Sequence, residues 1–192
     1  RDGPLPIVAD RDRLTQALVQ ARRSGQLVAL LFLDLDRFKI INDTFGHAVG
    51  DLLLKAVANR LSESVRESDT VARMGGDEFT LIFSGLHEPQ DAGQIAHLIL
   101  EVMAKPFTLE GHEVPVSTSI GITLYPIDNN GVDKEKSAIE VLLKNADTAM
   151  YKAKDQGKNN YQFFTAEMNV ATLERLLLEN DLRKGLENNE FI

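Results

Sequence analysis

The chain has 192 residues, which suits one domain of ordinary size with an appendage, and its 43% hydrophobic content supports a sizeable core rather than disorder. A formal net charge of -8 disfavours a binder of nucleic-acid polymers or anionic membranes, because phosphate affinity needs a basic surface. The lack of cysteine excludes disulfides, thiolate metal sites and cysteine nucleophiles, no apolar run reaches the roughly 18 residues of a membrane helix, and no stretch reads as a signal peptide. A soluble, cytoplasmic unit is expected, although a longer protein containing it could be membrane-anchored.

Residues 1–10 read as an irregular linker with Pro4 and Pro6. Asp10 is positioned to cap a helix running to about Arg23, with Leu14, Ala17, Leu18 and Ala21 on one face. The continuous apolar run Leu27 to Leu35 predicts a central strand covered on both faces. Alternation places Asp34 and Asp36, at its end, on one side of the sheet if the strand continues that far. A short helix ending at Gly46 follows, then a long one from Ala48 to about Val65 with Leu52, Leu53, Val57, Leu61 and Val65 as its buried stripe. Thr70 to Phe83 predicts a β-hairpin turning on Gly75-Gly76. Pro89 to about Met103 is amphipathic, through Ile95, Leu98, Ile99, Val102 and Met103. Short strands around Glu110-Gly111-His112, a strand from Ser119 to Leu124 and a polar loop over 126–136 come next. A helix over 138–154 and a last strand over 161–164 complete the pattern. Helices and strands alternating around a hairpin predict an α+β sandwich of the ferredoxin-like, split βαβ kind.

The hairpin is the chemical centre. Read alone, Gly75-Gly76-Asp77 is an ordinary exposed turn. Asp77 and Glu78 follow it directly, and two adjacent acids repel unless a cation or proton intervenes. In a split βαβ sheet the first strand lies antiparallel to the second hairpin strand, about 5 Å away, so Asp34 converges on Asp77 and Glu78. Three carboxylates without His or Cys make a hard-cation site, and Mg²⁺ is the natural ion. The short helix after Asp34 offers backbone N–H groups to phosphate, and Lys39 adds charge. Asn42 and Asp51 supply an amide and a carboxylate suited to a guanine edge.

Asp34-Leu35-Asp36-Arg37-Phe38-Lys39-Ile40-Ile41-Asn42-Asp43, then Gly46-His47, Gly50-Asp51, and Gly75-Gly76-Asp77-Glu78-Phe79, resemble the GGDEF family of diguanylate cyclases. Tyr151-Lys152-Ala153-Lys154 with Gly157-Lys158-Asn159 resembles that family's closing motif, so the similarity spans residues 11–165 as a domain. The resemblance implies condensation of two GTP into cyclic di-GMP and pyrophosphate, each subunit of a homodimer holding one GTP. It implies that Asp34, the Leu35 carbonyl, Asp77 and Glu78 bind Mg²⁺, with Mn²⁺ as a substitute. Asp34, Asp77 and Glu78 would be catalytic, Asp77 helping to activate the 3′-hydroxyl. Asn42 and Asp51 would bind guanine, and Gly75 and Gly76 would make room for the nucleotide. Phe38, Lys39, Lys154 and Lys158 would contact phosphate. The family often has Arg at the position of Lys158, and Lys keeps the charge without the bidentate fork.

Arg66 and Asp69 match the family's RxxD inhibitory site, whose ligand is the product, against the alternative of a simple i, i+3 ion pair. The entry stretch Pro4 to Asp10 departs from the family's usual DxLTGLPNR-like sequence. Residues 166–192 read as a helical linker, and the stretch from Leu178 to Ile192 resembles the opening of an EAL phosphodiesterase domain, attached in the full-length protein. Two other readings compete with an active cyclase. One is a GTP-binding regulatory module that switches an attached EAL phosphodiesterase. The other is a cyclic di-GMP receptor using only Arg66 and Asp69, for which a degenerate GGDEF stretch would be expected. His47 reads as a brace for its helix, and His87, His97 and His112 as surface or packing residues.

Overall fold

The computed structural model describes residues 7–132 and 135–169. Helix α1 (Ile7–Ser24) precedes β1 (Leu27–Leu35), α2 (Phe38–Phe45) and α3 (His47–Ser64). The hairpin β2 (Thr70–Gly75) and β3 (Glu78–Leu86) follows, then α4 (Pro89–Met103) and the short strands β4 (Phe107–Leu109) and β5 (His112–Val114). Strand β6 (Thr118–Tyr125), α5 (Glu135–Asp155) and β7 (Tyr161–Phe163) complete the order. The main sheet runs β2-β3-β1-β6-β7, and β4 and β5 form a separate two-stranded ribbon. Strand β1 is antiparallel to both neighbours, and β7 joins β6 in parallel. This is the α+β, ferredoxin-like sandwich expected from the alternation of elements.

The apolar run of β1 is continuous because helices cover both faces. Ala29, Leu31, Leu33 and Leu35 pack with Leu53, Val57, Leu61, Ile99 and Met103 of α3 and α4. Val28, Leu30 and Phe32 pack with Leu14 and Leu18 of α1 and Leu142, Ala146 and Met150 of α5. The two-residue period therefore divides the strand between two cores, and its even positions face α1 and α5. Helix α5 lies so close to β6 that a Cβ on Gly121 would sit 1.9 Å from the Ala146 carbonyl oxygen.

Three sequence expectations are corrected. Helix α1 begins at Ile7, so Asp10 lies inside its backbone rather than capping it. In α3 the buried stripe runs through Leu53, Leu54, Val57 and Leu61, leaving Leu52 37% exposed at its edge. In α4 the stripe is Ala92, Ala96, Ile99 and Met103, an i, i+4 row that leaves Leu98 on the solvent side. The EAL-like stretch from Leu178 lies outside the described residues.

Candidate active site at the end of the central strand

Strands β1 and β3 are in register through Leu33↔Phe79 and Asp34↔Glu78. Directly opposed residues of an antiparallel pair project on the same face, so two carboxylates face each other beside the glycine turn. The turn is built by Gly76 at φ 53, a left-handed conformation that glycine adopts without steric cost. Arg73 Nε donates to the Gly76 carbonyl at 2.9 Å, and the Leu35 N–H donates to the Asp77 carbonyl at 3.3 Å. The hairpin tip is thereby stitched to the end of β1. From α5, Lys154 Nζ meets Asp34 Oδ1 at 2.8 Å.

The electrostatics are those of crowded acids. Burial pushes the Asp34 carboxyl up and the hydrogen bond from Lys154 opposes it, with Asp77 and Asp36 adding repulsion. Burial also raises Glu78, followed by repulsion from Asp34, Asp147 and Asp77. Asp147 is raised by its own burial and held down by Lys154. It is missing from the sequence expectations, although its position on α5 seven residues before Lys154, two helical turns, was a usable signal. Among the described residues no three acidic or histidine side chains close into a ready metal cluster. The donors present nevertheless fit a hard cation. They are carboxylate oxygens, mutually repelling, with one ammonium on Asp34 to offset them, and Mg²⁺ takes few protein ligands.

Beyond β1 the chain turns through Arg37 in the left-handed region (φ 61) into α2. No side chain caps that terminus and its first turn holds no acid, so nothing from its own sequence competes for an anion there. Lys39 is exposed on this helix and Phe38 packs against the core. Asn42 Oδ1 is buried without a hydrogen-bond partner. It rests against Gly50 of α3, where a Cβ would lie 1.8 Å from that oxygen and 3.4 Å from the Phe38 ring. Gly46 (φ 87) ends α2 and begins α3, the corner that sets the two helices side by side. Asp51 is exposed one residue after Gly50. The structure thus brings Phe38, Asn42 and Asp51 to one helix pair, with the amide oxygen buried and unpartnered against Gly50.

Lys158 does not join Lys154 at Asp34. It lines a groove with Asp36, Arg37 and Asn159, at the start of α2. Arg66 and Asp69 stand at the far end of β2 from Gly75, about 17 Å along the strand at its usual rise. Arg66 lies just past the end of α3, and the Asp69 carboxylate accepts its backbone N–H at 3.0 Å. His112 packs against Phe45 with ring centroids 5.9 Å apart, and His97 pairs with Glu101 on the surface of α4.

Residues 10–160 match the family model described as "Diguanylate cyclase, GGDEF domain". The chain is 47% identical over 181 residues to the bifunctional diguanylate cyclase/cyclic di-GMP phosphodiesterase MucR of Pseudomonas aeruginosa. It is 38% identical over 176 residues to the cyclic di-GMP phosphodiesterase NbdA of the same organism. These alignments cover 94% and 92% of the chain but only 25% and 22% of the relatives' length, so the chain spans about a quarter of either. The crystal structure of the GGDEF domain of TpbB from Pseudomonas aeruginosa superposes with a TM-score of 0.77 at 41% identity, covering 84% of this chain and 97% of that one. The paired strands carrying Asp34 and Glu78, the glycine turn between β2 and β3 and the family match over most of the chain agree, and the chain belongs to the GGDEF family of diguanylate cyclase domains.

Proposed function

We propose that this domain condenses two GTP molecules into cyclic di-GMP with release of pyrophosphate. The observation that carries this reading is the Asp34–Glu78 register beside an open Gly75-Gly76 turn, with Lys154 as the countercharge on Asp34. Asn42 and Asp51 hold the guanine through its donors, and the unpartnered Asn42 oxygen is the acceptor already in place. Phe38, Lys39 and the start of α2 receive the phosphates, assisted by Lys158 across the groove. Asp34, the Leu35 carbonyl, Asp77 and Glu78 would hold Mg²⁺. When bound, that ion neutralises triphosphate charge and favours in-line attack by a hydroxyl. Lys154, paired with Asp34 at 2.8 Å, is the cation that would contact a phosphate oxygen.

Asp77 or Glu78 accepts the proton of the attacking 3′-hydroxyl. The new bond joins that oxygen to the α-phosphorus of the second GTP as one pyrophosphate leaves, and the reciprocal attack by the second GTP's 3′-hydroxyl on the α-phosphorus of the first closes the ring and releases the second pyrophosphate. One domain holds one GTP, so the reaction needs two domains face to face. Incubating the chain with GTP and Mg²⁺ and resolving the nucleotides tests the reading. Cyclic di-GMP should accumulate at two GTP per product, and GTP recovered unchanged at high protein concentration overturns it.

A second reading is a GTP-responsive regulator of an attached phosphodiesterase. It is favoured by the relatives, since NbdA carries the name of a phosphodiesterase while sharing 38% of residues here. The same incubation separates the two, because a regulator binds GTP without consuming it.

A further inference from the structure

Asp36 is the one carboxylate at the end of β1 that neither the metal nor the nucleotide reading uses. It is 5% exposed, and three donors from distant parts of the chain converge on it. Ser119 Oγ donates to Oδ1 at 2.7 Å. Ser117 Oγ and the Asn159 backbone N–H donate to Oδ2 at 2.7 and 3.1 Å. Its own N–H donates to the Ser117 carbonyl at 2.9 Å. A buried carboxylate is retained only when its lone pairs are satisfied, and this one is satisfied by a strand edge and a turn.

The turn is the informative partner. Gly157 (φ 109) is followed by Lys158 (φ 64) and Asn159 (φ 48), two successive non-glycine residues in the left-handed region. Such a conformation persists when surrounding contacts over-determine it. Here the Lys158 N–H donates to the Ala153 carbonyl at 3.2 Å, Asn160 Nδ2 ties the Ala153 and Lys158 carbonyls at 2.8 and 2.9 Å, and Asp36 takes the Asn159 N–H. The first three contacts stay within residues 153–160. Among the described residues, the bond to Asp36 joins the turn to the end of β1, while the Ile120 N–H, donating to the Asn160 carbonyl at 3.0 Å, ties its far side to β6.

We infer that Asp36 is a positioning residue for phosphate binding: it holds the 157–159 turn so that Lys158 faces Arg37 and the start of α2 across the groove. The inference rests on the phosphate role given to Lys158 above. Asp36 itself touches no substrate. It acts through the turn, and so on ground-state binding of the polyphosphate.

The test measures binding of inorganic tripolyphosphate and of GTP by calorimetry to the parent, Asp36→Ala, Asp36→Asn, Lys158→Ala and the double variant Asp36→Ala/Lys158→Ala, beside thermal melts of each. Asp36→Ala should weaken tripolyphosphate binding about tenfold, a magnitude usual for loss of a group that orients a ligand-binding side chain. Asp36→Asn keeps one acceptor oxygen for Ser117 and Asn159 and should recover most of that loss. In the Lys158→Ala background, Asp36→Ala should cost nothing further, because the two act as one unit. In turnover, KM for GTP should rise while kcat changes little. Equal losses from Asp36→Ala with and without Lys158 overturn the inference, as does parent-like binding by a folded Asp36→Ala. If Asp36→Ala melts out, the Ser117→Ala variant, which removes a donor that seats the same Asp36 oxygen and leaves the turn's own backbone unchanged, must weaken tripolyphosphate binding in the parent and not in the Lys158→Ala background for the inference to stand. A parent that binds tripolyphosphate but makes no cyclic di-GMP overturns the cyclase reading alone. A parent that binds no polyphosphate overturns both.

Discussion

Asp34 on β1 and Glu78 on β3 are directly paired across one antiparallel ladder, so the sheet holds two carboxylates opposite each other at its functional end. Burial is the largest influence raising each, and Asp34 is the next cause at Glu78. Like charges directly opposed in a sheet are destabilising by about 0.2–1 kcal/mol. Glu78→Gln should therefore raise stability of the ligand-free domain by a few tenths of a kcal/mol to about 1 kcal/mol. The same change should reduce turnover about a hundredfold or more, since it removes an anionic ligand from the cation that would neutralise the reacting phosphates. Urea unfolding without divalent ions and GTP turnover with Mg²⁺ read the two effects. A variant both less stable and fully active would sink the assignment.

Gly50→Ala tests the guanine end. The new methyl would sit 1.8 Å from Asn42 Oδ1 and 2.9 Å from its Cγ, so the amide must swing out of its seat. Side-chain rotation relieves the clash, and the fold should survive with only a small loss. GTP affinity should fall about tenfold, the worth of a well-made hydrogen bond from a base, and discrimination against ATP should narrow. Calorimetry with both nucleotides reads the outcome, and unchanged selectivity would remove Asn42 from guanine recognition.

Gly121→Ala makes a contrasting case. There the methyl would meet backbone, 1.9 Å from the Ala146 carbonyl oxygen and 2.3 Å from the Met150 N. No rotamer relieves that contact, so α5 must lift off β6. Overpacking of this kind costs about 1–3 kcal/mol or more. The loss should appear as a lower midpoint in urea, and because Lys154 rides on α5, weaker phosphate binding should accompany it.

These contrasts show what can be read from the chain and what cannot. The Asp34–Glu78 convergence is legible because an apolar run closed by acids and a Gly-Gly hairpin leave one sensible pairing, and the observed register follows it. The helix pair holding Asn42 and Asp51 is legible from Gly46 and the change of pattern around it. The role of Asp36 is not, because its partners Ser117, Ser119 and Asn159 lie 81, 83 and 123 positions away and only the folded sheet gathers them. The exposure of Leu52 and Leu98 is equally hidden, since periodicity defines a stripe but not its edge. Separation of Lys158 from Lys154 depends on the left-handed turn after α5, which no local preference of Lys predicts.

Asp128 gives a pH prediction away from the active site. Burial raises its carboxyl, opposed by the Leu124 N–H, which donates to it at 2.7 Å. A raised folded value means the native state binds the proton more tightly than the unfolded chain. Stability contributed by protonation is then present below the unfolded carboxylate range and is lost as pH rises through the raised folded value. Above that window the half-buried charge weighs against the fold. Asp128→Asn keeps an acceptor for Leu124 and removes the charge. It should flatten the stability–pH curve across that window and be no less stable than the parent at pH 8. A steeper curve, or a loss confined to high pH, would contradict the assignment.

The last prediction concerns feedback by the product. Arg66 is exposed at the far end of β2 from the glycine turn, so a ligand there touches none of the reacting groups. Its guanidinium can take the acceptor edge of guanine in cyclic di-GMP, and Asp69 can accept from guanine donors. Asp69 is also committed to the fold, since its carboxylate takes the Arg66 backbone N–H at 3.0 Å and the Asp69 N–H donates to the Arg66 carbonyl at 3.0 Å. Asp69→Ala would loosen that turn as well as the ligand, whereas Arg66→Ala keeps both backbone bonds and removes only the guanidinium. Arg66→Ala is therefore the cleaner variant. Bound product needs only to favour an unproductive arrangement of two domains over the productive one to inhibit. Initial turnover by Arg66→Ala should stay within about twofold of the parent, because surface changes away from a site cost little. Product should then accumulate well beyond the level at which the parent stalls, and cyclic di-GMP binding measured with the GTP sites blocked should disappear. A parent without product inhibition, or a variant that stalls at the same concentration, ends the case for a feedback site at Arg66.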